Sequence, residues 1–281
     1  MTKKAVLTTG LLTVLIAISA FLFYNVEADG KLDKKNYVQS TTPTLFFHGY
    51  GSSANAERHM TNATKKAGVT KTVIRANVDR NGAVTLRGDI PKGAINPIVE
   101  VNYEDNRNPI DVGRYAKAVV SKLQEKYGFT KMNMVGHSLG NMSILYYLLE
   151  HAQDENLPQL QKQVNIANFA AGLEAMGLSS DVKVDKTTGQ PNQITQTFQR
   201  LLPLREVFPQ NQIDVLNIYG DYKNGSDGSV LNASSRSLKY LVADNAKSYQ
   251  EKKITGKLAQ HSQLHENPEV DKILIQFLWG K

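Results

Sequence analysis

Two rhythms run along most of this chain: apolar runs or alternations of strand length, and apolar residues recurring at helical spacing. Thr44-Leu45-Phe46-Phe47 is an apolar strand run, ended by the glycine-rich stretch His48-Gly49-Tyr50-Gly51-Ser52-Ser53. A helix is expected over residues 56–67 and a second strand over residues 72–78. Residues 83–88 and 98–103 alternate apolar with polar, which predicts two half-exposed strands around the turn residues Pro91, Gly93 and Pro97. Ile110, Val112, Tyr115, Val119 and Leu123 fall at helical spacing, and Gly128 ends that helix. Met132-Asn133-Met134-Val135 suits a buried strand, followed by a helix carrying Ile144, Leu145, Leu148 and Leu149. Strands are further expected over 164–167, 214–219 and 249–255, and helices over 231–242 and 270–279.

Residues 172–211 lack a strand rhythm and carry Leu201, Leu202, Leu204, Val207 and Phe208 close together. This segment reads either as a cap over a site, offering an apolar surface to an acyl or other apolar substrate, or as a plainly packed helix. Strands alternating with helices over about 240 residues predict one α/β domain, with a mainly parallel sheet and helices on both faces. Ligands of such sheets sit at the carboxyl ends of the strands. His48, Ser138 and the loop holding Asp221 and Asp227 all follow strand ends.

The N-terminal region departs from these rhythms. Residues 5–24 carry no charge and are mostly Leu, Val, Ile, Ala and Phe. At about 1.5 Å per residue they span about 30 Å, the thickness of a bilayer's hydrocarbon core. Lys3 and Lys4 precede the run, while Glu27 and Asp29 follow it, which places the remainder of the chain outside the cell. An uncleaved membrane anchor and a cleaved secretory signal, with Val26-Glu27-Ala28 as its site, both remain open. The length favours the anchor, because secretory apolar regions usually run about 7–15 residues. Residues 25–43 are polar and read as a tether, leaving 44–281 as the domain. The expected location is the cell membrane with the domain extracellular, or secretion if the segment is removed.

Of the 281 residues, 41% are hydrophobic and 21% charged, as in a globular protein. The absence of cysteine excludes disulfides, thiolate metal sites and a cysteine nucleophile. The net charge of +7 suits work beside anionic lipid or wall polymer. Nothing in the pattern of Arg or aromatic residues points to nucleic acid as a partner.

The chemistry centres on Gly136-His137-Ser138-Leu139-Gly140, a G-x-S-x-G stretch between a strand and a helix. A very tight turn there lifts the serine Oγ to the top of a sheet. A serine hydroxyl is a poor nucleophile at neutral pH and needs a base within hydrogen-bond reach, itself oriented by an acid. The chain offers Asp221 and Asp227 in one later loop, then His261 and His265 in another. The backbone N–H groups of Leu139 and Tyr50 are expected to hold the developing oxyanion, contributing a few kcal/mol each. Asp221, Asn224 and Asp227 lack the glycine and distal glutamate of a calcium loop, and neither metal nor organic cofactor is expected. The side chain of His137 should point away from the serine, His48 should make a structural hydrogen bond, and His59 and His151 have no evident partner.

Phe47-His48-Gly49-Tyr50-Gly51, the G-x-S-x-G stretch, Gly225-Ser226-Asp227-Gly228-Ser229-Val230 and His261-Ser262-Gln263-Leu264-His265-Glu266-Asn267 resemble signatures of the α/β-hydrolase superfamily. More narrowly, they resemble its membrane-bound cell-surface hydrolases of Gram-positive bacteria, whose substrate is unassigned. The wider relatives are lipases and esterases, and the resemblance covers essentially everything after Pro43. It implies Ser138 as nucleophile, Asp227 rather than Asp221 as acid, and His261 rather than His265 as base, because Leu264 holds the packing position three residues on. The activity implied is cleavage of a small-molecule or lipid-like carboxylic ester through an acyl-enzyme. An acyltransferase or amidase with the same triad, and a binding scaffold without turnover, are the alternatives.

Overall fold

The computed structural model describes residues 31–281. The expected anchor at 5–24 lies outside the described residues, among which no helix is long and apolar enough to cross a membrane. Strands β1 (Thr44–Phe47), β2 (Val73–Val78), β3 (Val84–Arg87), β4 (Ile98–Tyr103), β5 (Lys131–His137), β6 (Gln159–Ile166), β7 (Asp214–Asp221) and β8 (Ser248–Thr255) form one sheet. Their order is β3-β2-β4-β1-β5-β6-β7-β8. Every neighbouring pair is parallel except β2 and β3, which run antiparallel. Phe47 lies opposite Gly136, so the loop leaving β1 emerges beside the turn leaving β5.

Helices α1 (Arg58–Lys66), α2 (Val112–Tyr127), α3 (Leu139–His151) and α8 (Pro268–Trp279) are the main covering elements. Short helices α4 (Gln196–Leu201), α5 (Leu204–Val207), α6 (Asn232–Arg236) and α7 (Leu238–Val242) complete the set. The apolar stripe of α2 is buried through Tyr115, Val119, Val120 and Leu123, and Gly128 ends the helix in the left-handed conformation, its N–H bonded to the Gln124 carbonyl. Without a Cβ, that backbone conformation carries no steric penalty. Two apolar clusters result, one holding α2 and α3 and the other holding α8 and Met60 of α1. The sheet lies between them. The mainly parallel α/β architecture read from the sequence is present.

Three expectations change. Strand β4 is not half-exposed: it is buried along nearly its whole length, and only β3 shows the half-exposed alternation. Its polar residue Glu100 is held inside by Arg75 at 2.7 Å and by the Thr61 hydroxyl at 2.8 Å. A buried carboxylate with charged and neutral donors looks like a solvent-facing residue in sequence alone.

The apolar residues of 201–208 are not a surface. Leu201, Leu204 and Phe208 are buried in the larger core cluster, with Leu202 and Val207 partly buried against it. Their close spacing reflects two short helices, α4 and α5, packing inward.

The described part of the expected tether at 25–43, from residue 31, is docked on the domain. Asp33 N–H donates to the Gly68 carbonyl at 2.8 Å, Val38 N–H to the Trp279 carbonyl at 2.8 Å, and Asn96 Nδ2 to the Val38 carbonyl at 2.7 Å. The polar stretch from residue 31 is thus bound to the domain by its backbone, a role that composition does not reveal.

Candidate active site

Strand β5 delivers Ser138 into a backbone conformation with φ 53° and ψ −120°, outside the regions that a non-glycine residue ordinarily occupies. The strain is held by packing on both sides. A Cβ on Gly136 would meet the Gly140 carbonyl at 2.7 Å, and one on Gly140 would collide with the Phe47 carbonyl. The Asn141 side-chain amide donates to the Ser138 carbonyl at 2.9 Å and to the Ile166 carbonyl at 2.8 Å, tying the turn to the end of β6. Asn141 belongs to no motif; its one signal in the sequence is a polar residue on the inner side of an otherwise apolar helix.

Ser138 Oγ lies 3.0 Å from His261 Nε2, and His261 Nδ1 lies 2.8 Å from Asp227 Oδ2. A histidine donating its Nδ1 proton to a carboxylate keeps Nε2 free to accept the serine proton. Asp227 is almost fully buried, and its other oxygen accepts the N–H groups of Ser229 at 2.9 Å and Val230 at 2.7 Å. The His261 N–H also bonds the Asp227 carbonyl at 2.9 Å, so backbone as well as side chains join the two loops. The structure brings Ser138, His261 and Asp227 together.

It leaves Asp221 and His265 out of that chain. Asp221 is the last residue of β7, and its carboxylate meets Lys253 Nζ at 3.3 Å and Gly225 N–H at 3.2 Å. His265 stands at 3.4 Å from Glu266, with its ring edge against His137 at 4.7 Å between centroids. Burial pushes its pKa down against the pull of Glu266.

His137 points away from the serine, as expected, and what it does there was not foreseen. Its Nε2 lies 3.0 Å from the His261 carbonyl, and its ring centroid 5.0 Å from that of His261. Donation to a carbonyl fixes the Nε2–H tautomer. Full burial, with His261 and His265 beside it, holds its pKa well below the ordinary histidine value of 6.5. A neutral, buried imidazole therefore buttresses the loop that carries His261.

Leu139 opens α3, so its N–H is among those without an intrahelical partner. Tyr50 sits in the loop leaving β1, where a Cβ on the preceding Gly49 would lie 3.2 Å from the Ser138 Cβ. His48 Nε2 accepts the Tyr103 N–H at 3.1 Å, which makes Nδ1 its donor, 2.9 Å from the Gly49 carbonyl. Ser52 N–H reaches the same carbonyl at 3.2 Å. In a trans peptide the N–H of Tyr50 projects opposite to that carbonyl. His48 thus makes the structural hydrogen bond expected of it, and through it fixes the direction of the Tyr50 donor.

A second titratable group lies behind the site, unforeseen in sequence. His59 stands between Glu266 at 3.4 Å and Asp271 at 2.9 Å. Glu57 is fully buried with no hydrogen-bond partner for either oxygen, and burial together with Glu100 and Glu266 raises its pKa well above the ordinary value. The partners of His59 come from α8 and the loop before it, about two hundred residues away along the chain, which no local pattern could disclose.

Residues 31–281 match the family model described as alpha/beta hydrolase of unknown function (DUF915). No curated protein matches the chain. Among solved structures, the lin2722 gene product of Listeria innocua is 26% identical with a TM-score of 0.74, covering 85% of this chain and 94% of its own. A proposed cell surface hydrolase of Lactobacillus plantarum is 20% identical with a TM-score of 0.67, covering 84% of this chain and 89% of its own. The second likeness speaks to fold alone.

Proposed function

Because the chain belongs to the DUF915 family of alpha/beta hydrolases of unknown function, we propose that it is a serine hydrolase cleaving carboxylic esters through an acyl-enzyme. The hydrogen-bonded series from Ser138 through His261 to Asp227 carries this reading. In the first half-reaction His261 Nε2 takes the Ser138 proton while Oγ attacks the ester carbonyl. The N–H groups of Leu139 and Tyr50 receive the negative charge that develops on the carbonyl oxygen, and Asp227 stabilises the imidazolium. Collapse expels the alcohol, which takes the proton from His261 and leaves the acyl group on Ser138. Water then enters with His261 again as base, releasing the acid and restoring the serine.

The reading of an apolar substrate has a different basis from the one the 201–208 segment suggested. Tyr50, Ile110, Met176, Ile194, Tyr222 and Leu258 are the large apolar side chains exposed in segments that follow strand carboxyl ends. Their segments leave the serine's end of the sheet, which favours an ester with an apolar portion. The uncharged stretch at 5–24 supports a membrane-attached protein with its domain outside the cell. The Lactobacillus relative described as a cell surface hydrolase agrees with that location.

Hydrolysis of p-nitrophenyl esters of graded acyl length, compared between the protein and its Ser138→Ala variant, tests the proposal. Activity that falls about 10⁴-fold or more in the variant is expected. Equal rates in both proteins would remove the serine from the account.

A further inference from the structure

The end of the sheet opposite Ser138 has its own chemistry. Lys31, Lys34 and Lys35 lie in the segment bound alongside Gly68, Lys66 ends α1, Lys71 precedes β2, and Lys281 ends the chain. All six are exposed. They meet because the two ends of the described chain converge there: Lys281 Nζ donates to the Lys34 carbonyl at 2.7 Å, and Tyr37 bridges to Gly280. One acid, Asp33, lies in the same segment, its solvent-accessible carboxylate accepting from the N–H groups of Lys35 and Asn36 and from the Asn36 amide, so one negative side chain stands among six lysines. The outward face is therefore basic.

Reach decides what this face can meet. Residues 25–30 are all that separate the uncharged segment from Lys31, and the seven steps from residue 24 to Lys31 extend at most about 25 Å. The seven residues of β5 alone span about 23 Å between the basic end and Ser138. If the segment 5–24 sits in a bilayer, the basic end can lie on the membrane surface with the linker slack, whereas the serine's end would reach it only with the linker stretched to its full length. Polybasic surfaces beside a membrane segment are drawn to anionic headgroups, and the attraction fades within a Debye length.

We propose that the face formed by Lys31, Lys34, Lys35, Lys66, Lys71 and Lys281 docks on anionic phospholipid headgroups, so that Ser138 opens away from the bilayer. This rests on the membrane-attached, outward-facing reading given above. Its consequence is a restriction on substrate. The ester arrives from the extracellular side and is not drawn from the membrane that holds the enzyme.

The chain has no cysteine, so single cysteines can report position in the full-length protein. Lys66→Cys and Tyr222→Cys, each carrying a fluorophore, are reconstituted in vesicles with a headgroup-attached quencher. In phosphatidylglycerol, quenching at position 66 should exceed that at 222 at least about threefold. In phosphatidylcholine, or with Lys31, Lys34, Lys35, Lys71 and Lys281 all changed to Gln, the ratio should fall below about 1.5. Equal quenching at both positions, a ratio indifferent to lipid charge, or protein left in solution overturns the proposal. So does loss of the phosphatidylglycerol effect on adding a soluble polyphosphate at equal charge, which would mark a wall-like polyanion as the preferred partner. Labelling of Ser138 by a fluorophosphonate in the same samples reports on the hydrolase reading separately.

Discussion

The two ends of this sheet are built for different company. At the carboxyl ends of the strands a strained serine, a buried aspartate and a histidine are held by close-packed glycines and by hydrogen bonds. At the amino ends the two ends of the described residues converge, and exposed lysines lie around them. The strain at Ser138 persists because neighbouring backbone leaves no room to relax, whereas the lysine side chains are exposed to solvent. Packing can hold a precise geometry at the first end, whereas the second offers charge, which acts without one.

The largest predicted effect falls on the serine's end. His261→Ala should lower ester turnover about 10⁴-fold with the fold retained, while Asp221→Asn, whose carboxylate serves Lys253 and the loop backbone, should change turnover less than about twofold. A matched pair of kinetic assays checks the contrast; comparable losses in both would reopen the choice of acid. Next in size is Leu204→Ala. As a fully buried residue it should cost about 2–5 kcal/mol of stability, visible in denaturant unfolding, with turnover per folded molecule kept. A large change in chain-length preference without destabilisation would instead restore the cap reading of that segment.

A smaller effect is expected at His48, which acts on the site only through the Gly49–Tyr50 peptide. His48→Ala should lower kcat about tenfold with little change in KM, because a misdirected donor weakens transition-state binding more than substrate binding. A change confined to KM would contradict that role.

The smallest effects are in pH dependence. His48, His137 and His265 all have pKa values lowered by burial. The unfolded chain takes up protons near pH 6.5 where the folded one does not, so their contribution is full above that value and is lost as pH falls below it. His137→Gln should flatten the decline in melting temperature between pH 7.5 and 5. Glu57 has the opposite sign: its raised pKa makes the folded state the better proton binder, so stability falls as pH rises above the ordinary glutamate value. Glu57→Gln should remove that slope, and an unchanged slope would deny the buried acid.

Most of the sheet was legible in the sequence because each strand is a short apolar or alternating run bounded by glycine, proline or polar turns. Ser138 was legible for a local reason, since the glycines that allow the turn stand within two residues of it. The choice between Asp221 and Asp227, and between His261 and His265, was not legible from local pattern, since each pair shares a loop and differs only in what it faces across space. Resemblance to relatives supplied that choice, and the hydrogen bonds of Asp227 and His261 agree with it. Glu100 misled, and 201–208 left a cap and a packed helix open, for related physical reasons. Polarity predicts exposure only when no partner waits inside, and clustered apolar residues predict a surface only when no core lies beneath.

The proposed reaction passes through an acyl group on Ser138. The most direct measurement is peptide mass spectrometry of the protein quenched in acid during turnover of a p-nitrophenyl ester. The account predicts an adduct of the acyl mass on the peptide containing Ser138, formed together with a burst of p-nitrophenol and missing from Ser138→Ala. Steady turnover with no adduct in any peptide, or an adduct on another residue, would contradict it.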